Sequence, residues 1–340
     1  MDKKGVAMLL IFIAAMAGIA TAIGTWAELN GQVLRVGYLK NNINDLALIY
    51  AQNQNMFTAS GLEMSFVQYD TEPEILDALA ADQIDIGYVG LPAAIMANRN
   101  QGVPITVIAP VNEDGIAIVV MQGSGITNAS DLADKTVAIP AANDTQDFML
   151  RLFVSGSVVH IGHDILDNAT NGLNTTLMVP GNMPAAMNAS TIDAFVAQEM
   201  IPGASIYKPV YGSLGYSGSY LVNSSTIWPN HPCLVIVART ALVEDARYHD
   251  MLERFIQVHE NATSFIQNPV NAGTVISVLE TVLGLNKIDI TYSLANTIFN
   301  DTPDVAGMNA TVVKLTLLDM IQPIPDVLSY DASFYNMTFL

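Results

Sequence analysis

Apolar residues in this chain fall into short runs that alternate between a strand period and a helix period. Val33-Leu34-Arg35-Val36-Gly37-Tyr38 is a β-branched run ending in glycine and predicts a first strand. Residues 45–54 place Leu46, Ile49 and Tyr50 on one face and predict a helix. Residues 62–67 predict a second strand. Thr71-Glu72-Pro73-Glu74 reads as a capping box, in which Thr71 serves the amide of Glu74 and the Glu74 carboxylate reaches back. Pro73 sits in the first turn, where no helical amide is lost. Residues 84–89 and 105–110 predict a third and a fourth strand. Strands that alternate with helices imply right-handed parallel crossovers, hence an open parallel sheet covered on both faces.

The pattern then starts again. Residues 116–121 read as a strand that crosses to a second unit through Gly123-Ser124-Gly125, a turn with the freedom a hinge needs. Strands at 136–139, 175–179 and 192–196 alternate with helices at 144–153 and 183–189. Residues 234–238 predict the return crossing. After Thr240 the pattern is helical, over 243–265, 270–283, 290–298 and 308–320, punctuated by Pro269, Gly284, Pro303 and Pro323. Two stretches nearly duplicate one another. Pro73 to Gly90 and Pro184 to Ala197 each give a short helix, a polar turn, Ile-Asp and an apolar strand. Asp85 and Asp193 occupy the same place in the two copies and read as architectural. The expected fold is therefore α/β, with two Rossmann-like lobes joined by two crossing strands and a helical C-terminal region packed on lobe one. The expected division is 1–29 as a leader, 30–120 with 236–340 as lobe one, and 121–235 as lobe two. Two lobes facing across a crevice suit capture of a small molecule.

Composition narrows the partners. The chain has 340 residues, 51% of them hydrophobic, enough for two cores and far from a disordered composition. Its formal net charge of −19 excludes a nucleic-acid partner, which needs a basic stripe, and an anionic membrane surface. Lys3 and Lys4 precede an apolar run over 6–23, the pattern of a secretory signal or an uncleaved anchor, and Ala20-Thr21-Ala22 offers a cleavage site. A membrane enters only through that segment. Asn-x-Ser/Thr triplets begin at Asn128, Asn143, Asn168, Asn174, Asn188, Asn223, Asn261, Asn300, Asn309 and Asn336, which makes the chain a glycoprotein candidate, with an undecorated Asn-rich surface as the alternative. The one cysteine, Cys233, cannot form an internal disulfide and has no base beside it, so it reads as a buried inert thiol.

No motif of nucleophilic, phosphate-binding or metalloprotease type is present. His160-Ile161-Gly162-His163 lacks further ligands at a known spacing and reads as a surface loop. The methionines are scattered at core spacing and do not form a copper site. No catalytic residue, metal or cofactor is expected.

Several stretches together resemble solute-binding proteins of ABC importers in the nitrate/sulfonate/taurine, NMT1-like group. They are Leu34-Arg35-Val36-Gly37-Tyr38, Asn55-Met56-Phe57 with Gly61-Leu62-Glu63, and Ala78-Leu79-Ala80-Ala81 with Ile84-Asp85-Ile86-Gly87. The similarity continues through Asp131-Leu132-Ala133-Asp134-Lys135-Thr136-Val137-Ala138, Ile192-Asp193-Ala194-Phe195, the strand Leu234 to Arg239, and Asp326-Val327-Leu328 with Asp331 and Phe334. The resemblance covers about nine-tenths of the chain. It implies the type II periplasmic-binding fold, an extracytoplasmic location, and an ABC permease and ATPase as partners of a monomer. Relatives that make a thiamine pyrimidine as enzymes carry clustered cysteines, which this chain lacks.

Ligands of open parallel sheets sit beyond the carboxyl ends of the strands. That rule selects Tyr38, Lys40, Asn41 and Asn42 after the first strand, Gly90 and Leu91 after the third, and Asn112 and Glu113 after the fourth. In the second half it selects Asn143, Asp144 and Thr145, then Gln198 and Glu199. Loops that open helices present free amides, which suit a nitrate, sulfonate or carboxylate group. Glu113, Asp114, Asp144 and Glu199 complicate that reading, because a carboxylate facing a bound anion in a dry crevice is unfavourable. Either these acids point away, or the ligand carries a cationic or amine end, as taurine or a thiamine-precursor pyrimidine does. A surface sensor on the same fold, without transport, is the remaining alternative.

Overall fold

The computed structural model describes residues 33–157, 159–161, 172–199, 201–205, 218–325 and 327–340. The leader expected over 1–29, Gly162, His163 and Asn168 lie outside these residues. The strands are β1 (Val33–Leu39), β2 (Glu63–Tyr69), β3 (Ile86–Gly90), β4 (Ile105–Pro110), β5 (Asn112–Asp114), β6 (Ile116–Met121), β7 (Thr136–Ile139), β8 (His160–Ile161), β9 (Gly172–Leu177), β10 (Ala194–Gln198), β11 (Gly218–Asn223), β12 (Leu234–Arg239) and β13 (Thr297–Phe299). They build one sheet of order β2-β1-β3-β12-β4, a second of order β11-β6-β10-β7-β9-β8, and a two-stranded ribbon of β13 and β5.

Each large sheet is the centre of one lobe, and each is mixed rather than wholly parallel. β1 runs parallel to β2 and β3, but β12 is antiparallel to β3 and β4. In the second lobe β7 is parallel to β9 and β10, whereas β6 is antiparallel to β10 and β11. The reversed strands are the ones whose chain arrives from the other lobe, so no crossover helix sets their direction.

Apolar burial follows the period of each element. The strand sequence ITVIAP of β4 is buried throughout, as in a sheet covered on both faces. Helix Glu72–Ala80 buries Ile75, Leu76 and Leu79, and helix Thr145–Val154 buries Phe148, Met149 and Leu150. The C-terminal helices pack on lobe one. Helix His249–Gln267 lays Phe265 on Tyr50 with ring centroids 4.5 Å apart, and Phe255 on Phe57 at 5.3 Å. A fully buried aromatic such as Phe255 contributes roughly 1.5–3 kcal/mol by burial.

Helix boundaries differ from the sequence expectation where turn chemistry intervenes. The helix expected over 243–265 is two, Thr240–Glu244 and His249–Gln267, because Asp245 caps the turn between them by accepting from Arg247 N. The helix expected over 290–298 ends at Leu294, and its tail becomes β13.

The hinge also lies elsewhere. Gly123 and Gly125 sit in an exposed turn at the far end of β6, not between the lobes. The outgoing crossing is Gly115, at φ 84°. Its carbonyl accepts from Asn44 Nδ2 at 3.1 Å and from Glu199 N at 2.8 Å. The return crossing runs beside it. Cys233 N donates to Asn112 O at 3.0 Å, Asp114 N to His231 O at 3.0 Å, and Leu234 N to Asn112 Oδ1 at 3.1 Å.

Candidate functional site

The carboxyl ends of β1 and β3 face those of β7 and β10 across the crevice. Lys40, Asn41, Asn42, Asp70, Thr71 and Glu72 line it from lobe one, and Pro140, Asp144, Gln146, Pro180, Gln198 and Ile201 from lobe two. The free space there is ≈ 30 Å³, room for a water or two and far below the size of a drug-sized ligand pocket.

The space is small because Glu72 fills it. Glu72 opens helix Glu72–Ala80, but its side chain takes no part in the cap. The cap uses Glu74, whose Oε2 accepts from Asp70 N at 2.9 Å and Thr71 N at 3.3 Å. Glu72 turns instead into the crevice and is 1% exposed. Its Oε1 accepts from Gly90 N at 3.0 Å and Gln198 Nε2 at 2.8 Å. Its Oε2 accepts from Thr145 N at 2.9 Å and Thr145 Oγ1 at 2.7 Å. Lobe one supplies one of these donors and lobe two supplies three. Gln198 then accepts at Oε1 from Asn42 Nδ2, and Asn42 Nδ2 also reaches Asp45 Oδ2 at 3.3 Å.

Burial dominates the electrostatics of this cluster. It pushes Glu72 above the usual carboxylate range, although its four donors pull the other way. Asp144 is pushed well up, first by burial and then by the Glu72 charge. Asp45 is likewise raised well above its ordinary value by burial. Charge repulsion disfavours ionising these three groups together, and Glu72 has the fullest donor set of the three.

The crevice thus gathers Asn42, Gly90, Asp144, Thr145 and Gln198 from the residues selected by sequence. Lys40 and Asn41 stand at its rim, where Lys40 Nζ meets Asp70 Oδ1 at 3.0 Å. Asp144 is turned into its own helix. Oδ1 accepts from Asp147 N at 2.7 Å and Oδ2 from Ala141 N at 2.9 Å, which makes it an N-cap. Asn143 is exposed, and its amide donates to Asp147 Oδ2. Leu91 is buried and gives its amide to Cys233 O.

Four selected residues point elsewhere. The Tyr38 hydroxyl accepts from Gln68 Nε2 within lobe one. Asn112 and Glu113 belong to β5 in the hinge, not to a ligand loop, because their strand pairs with β13 and Glu113 Oε1 accepts from Asn300 Nδ2. Glu199 is fully buried and accepts from Tyr220 OH at 3.2 Å and Asn296 Nδ2 at 3.0 Å. Two members of the cluster escaped the sequence reading. Glu72 was absorbed into the capping box, although a second glutamate at N1 beside Glu74 at N3 left one carboxylate without a capping role. Asp45 was read only as the start of a helix.

Two lobes of this topology, with donors converging from both, have the type II periplasmic-binding fold. The chain belongs to the NMT1-like family, which it matches over residues 28–280. A Bacillus subtilis protein named for aliphatic sulfonate binding is 27% identical over 144 residues, 40% of this chain and 42% of that protein. An Escherichia coli protein of the same name is 23% identical over 186 residues, 53% of this chain and 54% of that one. The chain thus spans about half the length of these relatives or less. Among solved structures, the nitrate-binding protein NrtA of Synechocystis PCC 6803 aligns with TM-score 0.74 at 13% identity, covering 90% of this chain and 86% of that one. The alkanesulfonate-binding protein SsuA of Xanthomonas axonopodis pv. citri, bound to MOPS, aligns with TM-score 0.68 at 17% identity, covering 90% and 98%.

Proposed function

We propose that this chain captures a small oxyanion, of the sulfonate or nitrate kind, in the crevice between its lobes and delivers it to an ABC importer outside the cytoplasm. One observation carries the reading. Gly90 N, Thr145 N, Thr145 Oγ1 and Gln198 Nε2 come from both lobes and already converge on the two oxygens of one carboxyl group. A ligand bridging both lobes favours the closed arrangement by its differential affinity, and an importer can recognise that arrangement. The names of the relatives support the same solute class.

The amine-bearing pyrimidine reading loses support. Asp144 spends its oxygens on the backbone amides of Ala141 and Asp147, Glu72 has all its acceptor positions filled, and Glu113 and Glu199 face away. Calorimetric titration with nitrate, methanesulfonate, taurine and an aminopyrimidine tests the choice. A sulfonate or nitrate should bind with one site per chain. Thr145→Val together with Gln198→Ala should weaken it roughly tenfold or more, since each lost donor faces a charge. Binding of the aminopyrimidine alone, or an oxyanion affinity indifferent to both substitutions, would overturn the reading.

A further inference from the structure

We infer that Glu72 is a tethered occupant of the oxyanion cradle, a carboxylate of the chain itself that holds the lobes together and that the captured solute must displace. The inference deepens the oxyanion reading and rests on it for the solute class. It does not rest on it for the lock between the lobes.

The hydrogen-bond inventory leads to it. A carboxylate offers about four acceptor positions, two on each oxygen. Glu72 uses all four, on Gly90 N, Gln198 Nε2, Thr145 N and Thr145 Oγ1. Nothing on it is left to receive an amine or hydroxyl of a ligand. Its chemistry in this position is that of a ligand, not of a receptor. The donors span both lobes, so the Glu72 side chain, rooted in lobe one, is bound chiefly by lobe two. It therefore makes the contacts that a bridging solute would make, and favours closure without one.

Space supports the same conclusion. The lobes close so tightly here that a Cβ on Gly90 would overlap Thr145 Oγ1 and lie 2.7 Å from Glu72 Oε1. The space beside the carboxylate is small, ≈ 30 Å³, and the donors themselves are taken up by Glu72. A solute can reach these donors only when Glu72 leaves them. Glu72 is the first residue of its helix and its side chain takes no part in the cap, so rotation of that side chain frees the cradle without unfolding helix Glu72–Ala80. The occupant lowers the observed affinity by the fraction of molecules in which the cradle is free. It sets a threshold, below which the crevice stays shut on its own carboxylate.

Glu72→Ala and Glu72→Asp test this in the full chain, the second keeping a charge on a side chain one methylene too short to span the lobes. Small-angle scattering without solute should show a larger radius of gyration for both variants than for the unmodified protein. Added methanesulfonate should return Glu72→Ala to the compact value. Titration with methanesulfonate should show binding to Glu72→Ala tighter by roughly tenfold or more. An unchanged radius of gyration in both variants would overturn the lock. Weaker binding by Glu72→Ala would make Glu72 a ligand-holding residue and overturn displacement. Should methanesulfonate and nitrate bind none of the three proteins, the oxyanion reading fails with displacement, and the scattering of the two variants still decides the lock.

Discussion

At Gly90 the two lobes approach closely, and its lack of a side chain follows from that distance rather than from backbone strain. Its φ of −64° is open to any residue. A methyl group there meets Thr145 and Glu72, which leaves no room for closure. Gly90→Ala should therefore fold with little loss of stability yet hold the crevice ajar, with oxyanion affinity reduced roughly tenfold or more as Gly90 N and Thr145 N no longer reach one bound group. Titration calorimetry beside a thermal melt checks both halves. A variant with unimpaired affinity would show that the approach at Gly90 is incidental. At this scale the sequence was legible where a residue sits at a strand tip, as Asn42, Gly90, Thr145 and Gln198 do. It was illegible where two residues of one type compete for one local role, as Glu72 and Glu74 do. Local spacing cannot tell which carboxylate caps the helix and which one crosses to the other lobe. Only the tertiary approach of Thr145 decides it.

The duplicated element carries its own chemistry. Asp85 N donates to Arg35 O at 2.8 Å, and Arg35 N donates back to Asp85 Oδ2 at 3.0 Å. Asp193 N donates to Thr136 O at 2.8 Å, and Thr136 N donates back to Asp193 Oδ2 at 2.9 Å. Each aspartate thus pins the start of the neighbouring parallel strand, β1 in one lobe and β7 in the other. The two clamps differ in strength. Asp85 also meets Arg35 Nη2 at 2.7 Å and Arg239 Nη2 at 2.6 Å. Burial pushes Asp85 up, but the two guanidinium groups outweigh it and hold the carboxyl below its ordinary range. Asp193 is 41% exposed at its side chain and has a lysine 3.9 Å away. Asp85→Ala should cost about 1–3 kcal/mol of folding stability, and Asp193→Ala about 1 kcal/mol or less. Urea midpoints at constant slope measure both, and equal losses would contradict the difference in burial.

Elements as such were legible, because the strand and helix periods survive in a short apolar run. The hinge was not. Flexibility in the sequence pointed to Gly123 and Gly125, which only turn a strand end. The chain passes between the lobes at Gly115, where a Cβ would stand 2.6 Å from Asn44 Oδ1 at φ 84°. A conformational requirement at one glycine depends on a partner 71 residues away, and no local pattern shows it.

The molecule as a whole is acidic, yet its response to acid is set by a few buried groups. His259 lies within lobe one, its Nδ1 3.2 Å from the Tyr88 hydroxyl, and burial pushes it down to about 4. His231, in the hinge, is likewise pushed down to about 4 by burial. A histidine whose folded value is depressed contributes stability that is present above pH 6.5 and is lost as pH falls toward 4. Each contributes up to roughly 3 kcal/mol over that window. Asp114, pushed up to about 6 by burial, acts in the opposite sense, with stability lost as pH rises from 3.8 to 6. Over this range the two histidines work against the raised carboxyls of Asp114, Asp45, Asp144 and Glu72, and His259→Gln should make the change in stability from pH 6.5 to 4 less unfavourable than in the unmodified protein. Denaturant midpoints across the range check it, and an unaltered slope would place the acid sensitivity elsewhere.

At this scale the two-lobed architecture was legible from the repeat of helix, turn, Ile-Asp and strand, and the family from motifs spread along the chain. Which way the acids at the strand tips face was not, because only the tertiary hydrogen bonds of Asp144, Glu113 and Glu199 decide it. That the two lobes share one anion site is tested most directly by following the amide resonances of Gly90 and Thr145 in protein labelled with ¹⁵N-glycine and ¹⁵N-threonine. On titration with methanesulfonate, both amides should shift together and saturate at one concentration, although they belong to opposite lobes. A shift in only one of them, or in neither while the solute binds, would contradict a shared crevice.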